Sequence, residues 1–152
     1  MKLKPSKLSA LASGVALSVA AMAASAADQP SFSVTGPGEA TASITGGATI
    51  NGGASYLSEV PAAVAADLVA TITPATADMG STGGMVVVLE VPGLGFFNLL
   101  SGGIWVPVTD PAAIAPFVTG PLMTTEVSIL DGLIAADAGL AGATLNAYVG
   151  YY

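Results

Sequence analysis

The chain contains no cysteine and no histidine. Its cationic side chains are Lys2, Lys4 and Lys7, so no positive side chain occurs from residue 8 onward. Each absence removes a class of chemistry. Without cysteine, no disulfide staples the fold and no thiol carries a lipid anchor. Without histidine or cysteine, Ser–His and Cys–His nucleophiles cannot be assembled. Zinc, haem and iron–sulfur centres lose their usual ligands. Beyond residue 7 there is no lysine for a Schiff base or a phosphate-binding loop, and no cation to grip a nucleic-acid backbone. Nucleic acid is therefore excluded as a partner, and anionic membrane surfaces should repel the chain.

The three lysines are followed by an apolar stretch, Leu8 to Ala24, of Leu, Ala, Val, Gly and Met broken only by Ser. Ala24-Ser25-Ala26 and Ser25-Ala26-Ala27 supply the small residues a signal peptidase requires. Residues 1–27 thus read as a helical secretory signal peptide, too short and too Ala-rich for a membrane anchor. All ten acidic residues lie from Asp28 onward. After cleavage the chain would carry only negative side chains, with no internal salt bridges and no membrane attachment. Charge is nevertheless sparse, and the mean hydropathy of +0.75 argues against disorder. The remaining surface is rich in Gly, Ala, Thr, Ser and Val. That composition fits extracellular-matrix, adhesin or filament proteins better than soluble enzymes. About 125 residues suffice to bury one core unaided.

The longest apolar stretch of this remainder, Met85 to Val108, holds both adjacent phenylalanines and the only tryptophan. Met85–Val91 is apolar on both faces except Glu90, as expected of a strand covered on both sides. Pro92-Gly93 and Ser101-Gly102-Gly103 read as turns, which makes Phe96–Leu100 and Ile104–Val108 the next strands of a meander. Asp67–Thr73 alternates, with Leu68, Ala70 and Ile72 on one face. Thr124–Leu130 does the same, and Asp131-Gly132 is a hairpin-turn signal. Leu145–Tyr152 closes the chain with Leu145, Ala147, Val149 and Tyr151 on one face. Upstream, Phe32–Thr35 and Ala40–Thr45 alternate, separated by Gly36-Pro37-Gly38. Ile44-Thr45-Gly46-Gly47 and Ile50-Asn51-Gly52-Gly53 repeat, and read as two turns flanking a short edge strand. Pro61–Ala66 fits either a helix capped by Ser58 or an extended segment. The sum is an all-β chain, an antiparallel Ig-like β-sandwich of about seven to nine short strands. Residues 28–58 form a Gly/Thr/Ser-rich arm or edge strands, and residues 59–152 form the sandwich domain.

Candidate site residues are few. Trp105 is a conceivable ligand platform, though core packing explains a lone Trp as well. Loops with Asp78, Asp110 and Asp131 offer oxygen ligands for a weak Ca²⁺ site, without the spacing of a dedicated calcium loop. Paired carboxylates for glycoside hydrolysis remain formally available, but nothing singles out a pair. An outer-membrane barrel is disfavoured by irregular strand lengths and frequent proline, despite the aromatic ending. No catalytic residue, resident cofactor or metal is assigned.

Several pieces resemble a family of secreted proteobacterial Ig-like β-sandwich modules of uncharacterised function. They are Ile72-Thr73-Pro74 with Ala77-Asp78-Met79-Gly80, Val86-Val87-Val88, Gly103-Ile104-Trp105, Ile129-Leu130-Asp131-Gly132-Leu133, Leu140-Ala141-Gly142 and Tyr148-Val149-Gly150-Tyr151. Thr45-Gly46-Gly47-Ala48 and Asn51-Gly52-Gly53 are similar to the segment preceding such modules. The chain departs from the family pattern in lacking a terminal Arg after Gly-Tyr. The resemblance implies export and a sandwich, and no active site. The expectation is a secreted structural or adhesive protein that self-assembles or docks another surface protein through β-edges. A carbohydrate- or calcium-binding module is the alternative. The location expected is extracellular or cell-surface, with the periplasm as alternative.

Overall fold

Strands form where apolar residues alternate, and every strand pairing is antiparallel. The computed structural model describes residues 10–13, 16–17, 25–26, 29–31, 33–35 and 41–152. Its elements are β1 (Ala10–Ser13), β2 (Ala16–Leu17), β3 (Ser25–Ala26), β4 (Ser33–Thr35), β5 (Ser43–Thr49), β6 (Ser55–Tyr56), β7 (Ala66–Thr73), β8 (Thr82–Val91), β9 (Gly95–Leu100), β10 (Ile104–Pro107), a 3₁₀ turn η1 (Pro111–Ala113), β11 (Val118–Pro121), β12 (Thr125–Leu133) and β13 (Leu145–Tyr151). The larger sheet runs β10-β9-β8-β13-β1-β4, with β11 on β8 and β2 on β13. The second sheet runs β12-β7-β5, and β3 pairs with β6.

The inward faces of the two sheets meet in one core. Ile44, Leu68, Ile72 and Ile129 come from the smaller sheet; Val87, Leu89, Leu99 and Val149 come from the larger. The chain is therefore all-β and sandwich-like. The period-2 patterns decide which residues go in. Along β7, Ala66, Leu68, Ala70 and Ile72 are buried while Asp67, Val69, Thr71 and Thr73 are half-buried. Along β13, Leu145, Ala147, Val149 and Tyr151 all face the core.

The meander expected from Met85 to Val108 is formed by β8, β9 and β10, with Gly93 (φ 78°) and Gly102 (φ 82°) in its turns. Strand β8 is buried on both faces from Met85 to Leu89. Asp110 caps η1, its Oδ1 accepting from Ala112 N at 2.8 Å.

Two readings need correction. Thr45-Gly46-Gly47 is not a turn but the middle of β5, paired with Val69–Thr71. A Cβ on Gly47 would lie 3.2 Å from the Tyr56 ring, so glycine admits that side chain there. The second copy of the repeat is a turn, with Gly52 and Gly53 at φ 66° and 87°. Asp131-Gly132 is not a hairpin turn. It lies within β12, where the register against β7 shifts between Leu130 and Leu133. No strand returns there, so the left-handed Gly132 (φ 62°) makes a bulge, its N–H bound by Asp67 Oδ1 at 2.8 Å. Pro61–Ala66 holds a turn closed by Val64 N to Pro61 O, not a helix. Where residues 1–27 are described they are extended rather than helical: β1 and β2 lie along β13. Lys2, Lys4, Lys7, Phe32 and Gly36–Gly38 lie outside the described residues.

Candidate functional site

The residues singled out from sequence do not converge. Trp105 is half-buried on β10 and packs against the core beside an apolar cleft of about 270 Å³, shared with Leu89, Phe97 and Leu133. Asp78 sits in the loop after β7 and is occupied structurally. The Tyr151 hydroxyl donates to its Oδ2 at 3.0 Å and accepts from Ala75 N at 2.8 Å. Burial pushes the Tyr151 phenol above its ordinary range; the Ala75 N–H opposes this and Asp78 adds to it. Asp110 is used as the η1 cap. Asp131 is exposed on the smaller sheet and lines an open polar trough of about 440 Å³ with Thr49, Tyr56, Asp67, Glu126 and Ser128. Among the described residues, no three acidic groups gather as a metal-binding set.

Two polar centres carried no signal in the sequence pattern. Asn98, only 2% exposed, lies on the outer face of β9. Its Nδ2 donates to Val87 O and Leu99 O, each at 3.1 Å, and its Oδ1 accepts from Ala115 N at 2.8 Å. Strand β8 is paired on this edge by β9 at Val88–Val91 and by β11 at Thr82–Met85. The Asn98 amide fills the gap between them. The second centre is Gln29. Its Oε1 accepts from Thr45 and Thr71, both at 2.8 Å, and its Nε2 donates to the Tyr56 hydroxyl at 3.2 Å. A single Asn or Gln gives no warning of either role by residue type.

What the fold presents to another molecule is therefore best read from its sheet edges, where unpaired backbone groups lie. The β5 edge is closed by its own chain. Pro30 O accepts from Gly46 N at 2.9 Å, Ser31 bridges Thr45, and Leu57 bridges Ala48. Strands β10 and β11 are four residues each and contain Pro107 and Pro121. Strand β12 is bulged and carries Glu126 and Asp131. Strand β13, which lies inside the larger sheet between β8 and β1, differs from all of these. Its register against β8 is regular from Asn146–Glu90 to Tyr151–Met85, and Leu145–Tyr151 holds no proline and no charge. No charged side chain follows Asp137 in the sequence.

The outward side chains of β13 are fixed. Glu90 Oε2 accepts from Asn146 Nδ2 and from the Tyr148 hydroxyl, each at 3.0 Å. The bond to Glu90, with burial and the carboxylate charge behind it, raises the Tyr148 phenol. The Phe96 and Tyr148 rings stand 6.2 Å apart. On the far side of β13 from β8 lie β1 and β2.

No family model, curated protein or solved structure matches the chain.

Proposed function

We propose that the protein is a secreted, non-catalytic surface or extracellular-matrix protein, an Ig-like β-sandwich exported by way of residues 1–27, that acts by joining its sheet edges to other chains. The observation that carries this reading is the contrast among the edges. Strands β5, β12, β10 and β11 are closed, bulged or interrupted by proline, whereas β13 offers an uncharged, regular run bordered, beyond β8, only by β1 and β2 of the export signal. The dispersal of Trp105, Asp78, Asp110 and Asp131, two of them engaged in holding turns, also speaks for assembly rather than turnover. The resemblance to secreted proteobacterial sandwich modules agrees with it. Its motif residues Gly103-Ile104-Trp105 and Tyr148-Val149-Gly150-Tyr151 lie at a turn-to-strand junction and on the last strand.

Electron microscopy and sedimentation of the exported protein test the proposal. Oligomers or filaments are expected. A strict monomer at roughly millimolar concentration, with and without calcium, overturns it, since edge pairing of the usual strength would populate dimers there.

One observation favours a second reading. The trough on the smaller sheet combines Tyr56, Thr49 and Ser128 with Asp67, Glu126 and Asp131. Such a surface suits a carbohydrate or a weakly held Ca²⁺. Calorimetry against glycans and calcium tests it; no heat and no change in melting temperature removes it.

A further inference from the structure

The geometry points to a partner for β13. We infer that the exported chain pairs β13 with β13 of a second copy across a twofold axis at Tyr148, making one continuous sheet through both molecules. This rests on the edge-assembly reading above, and on residues 1–27 being removed at export.

The backbone of β13 has a definite sidedness. Gly84 and Tyr152 exchange both hydrogen bonds, N to O at 3.0 and 2.9 Å. In an antiparallel ladder the bonding direction alternates along the strand. Asn146, Tyr148 and Gly150 therefore aim their N–H and C=O groups at β8. Leu145, Ala147, Val149 and Tyr151 aim theirs away from it, toward β1 and β2. Ala10 and Ala12 stand opposite Tyr151 and Val149 in antiparallel register, and Leu17 stands opposite Leu145. That edge thus accepts antiparallel strands at both of its ends, Val149–Tyr151 and Leu145–Asn146. The strands occupying it belong to the segment read as the export signal. Cleavage at residue 27 removes them; β4, which joins this sheet only through β1, loses that partner with them, and the β13 edge is left bare.

A second copy satisfies that edge with correct chemistry. A twofold axis at Tyr148 sets Ala147 opposite Val149 and Leu145 opposite Tyr151. Those are the residues whose backbone groups point outward, so they exchange the hydrogen bonds. Residue parity is kept, so core-facing side chains of one copy neighbour core-facing side chains of the other. A register centred between two residues would turn one core outward. Tyr148 meets its own counterpart in the narrow, non-hydrogen-bonded position, with its ring held by Glu90 and beside Phe96. Electrostatics select the same strip. All charged side chains beyond residue 7 are negative, so repulsion favours approach along Ala138–Tyr152, which carries none; Glu90 beside it has its Oε2 engaged by Asn146 and Tyr148.

The experiment expresses the full chain with its own leader in an exporting bacterium and analyses the exported product. Mass spectrometry reads processing, sedimentation reads association, and single-cysteine cross-linking reads register in a chain that otherwise has no cysteine. Facing Cα atoms of a narrow pair lie about 4.5 Å apart, within disulfide range. The expected results are a product lacking residues 1–27, rapid disulfide dimerisation of Tyr148→Cys, and association weakened at least about tenfold by Tyr148→Lys. The lysine can pair with Glu90 within its own copy, and circular dichroism confirms that the fold is kept. Tyr148→Phe, which keeps the ring, should associate like the unsubstituted protein. Retention of residues 1–27 overturns the inference. So does assembly that Tyr148→Lys leaves intact and Tyr148→Cys does not cross-link; the broader edge-assembly reading then survives. A strict monomer overturns both.

Discussion

Strands β7 and β8 lie at the centres of their sheets, and each buries its inward side chains in the common core. Their outward faces differ. On β8, Val86 and Val88 are 2% and 8% exposed. The chain from η1 to Phe117 crosses this face, fixed by Ala115 N to Asn98 Oδ1, by Phe117 N to Met85 O, and by Pro116 against Gly84. On β7 the outward Val69, Thr71 and Thr73 remain half-exposed, and Gln29 reaches Thr71 across them. A covered sheet face must satisfy every polar group beneath the cover. The larger sheet does this with the Asn98 amide, which makes three bonds, and with the Phe117 N–H on Met85 O. The smaller sheet leaves the matter to water and to threonine hydroxyls. Stability should therefore be concentrated on the outer face of the larger sheet and diffuse on that of the smaller.

The largest effect should come from Asn98→Leu. It removes the three hydrogen bonds with Val87 O, Leu99 O and Ala115 N and should cost about 4 kcal/mol. A urea midpoint reads the loss, and new proteolytic cleavage between Asp110 and Phe117 would show the cover lifting. Gly84→Val tests the closeness of that cover. Even its Cβ would lie 2.7 Å from the Tyr152 ring and 2.9 Å from Pro116, so a destabilisation of about 2–3 kcal/mol is expected. Thermal melting measures it, and a neutral result would show that the cover can move aside. Tyr151→Phe, at the core, removes the hydroxyl joining Ala75 and Asp78 and should cost about 1–2 kcal/mol.

The same phenol sets a pH dependence. Tyr151 and Tyr148 both hold their protons more tightly in the fold than at the ordinary value of 10.0. The folded state then binds more protons than the unfolded state above that pH, so stability is full below about pH 10 and falls as pH rises beyond it. Melting temperature followed from pH 8 to roughly 11 should decline only in the upper part, and less steeply in Tyr151→Phe. The smallest effect belongs to the open face. Gln29→Ala should cost about 0.5–1 kcal/mol, because its partners Thr45, Thr71 and Tyr56 can turn to water. A loss as large as that of Asn98→Leu would erase the contrast between the faces.

The difference between β7 and β8 was largely legible in the sequence. Strict alternation in Asp67–Thr73 against continuous apolar residues in Met85–Val91 distinguishes a strand covered on one side from one covered on both. The last strand was legible for the same reason. Glycine was less so. Gly46-Gly47 and Gly52-Gly53 are the same dipeptide, yet one pair lies within β5 and the other turns the chain. The difference lies in the pairing of Gly46-Gly47 with Ala70 and Val69 of β7, which are distant in sequence. Asp131-Gly132 misled because a turn signal needs a returning strand and none follows it. Of the site, Trp105 and the loop aspartates were visible by residue type, but their dispersal was not. Whether Asp78 is free or engaged depends on Tyr151, 73 residues away.

On the export reading, strand β13 also sets the timing of folding. It is the last strand of the chain, yet it is the neighbour of β8, with Asn146 reaching Glu90 across 56 residues. A chain exported from its N-terminus delivers β13 last, so the larger sheet cannot close while the chain is still crossing. Long-range closure of this kind is slow compared with helix or hairpin formation. On the export reading, the chain stays threadable during transit and needs no oxidative step afterwards. A truncation before Leu145 should still cross, but remain protease-sensitive outside.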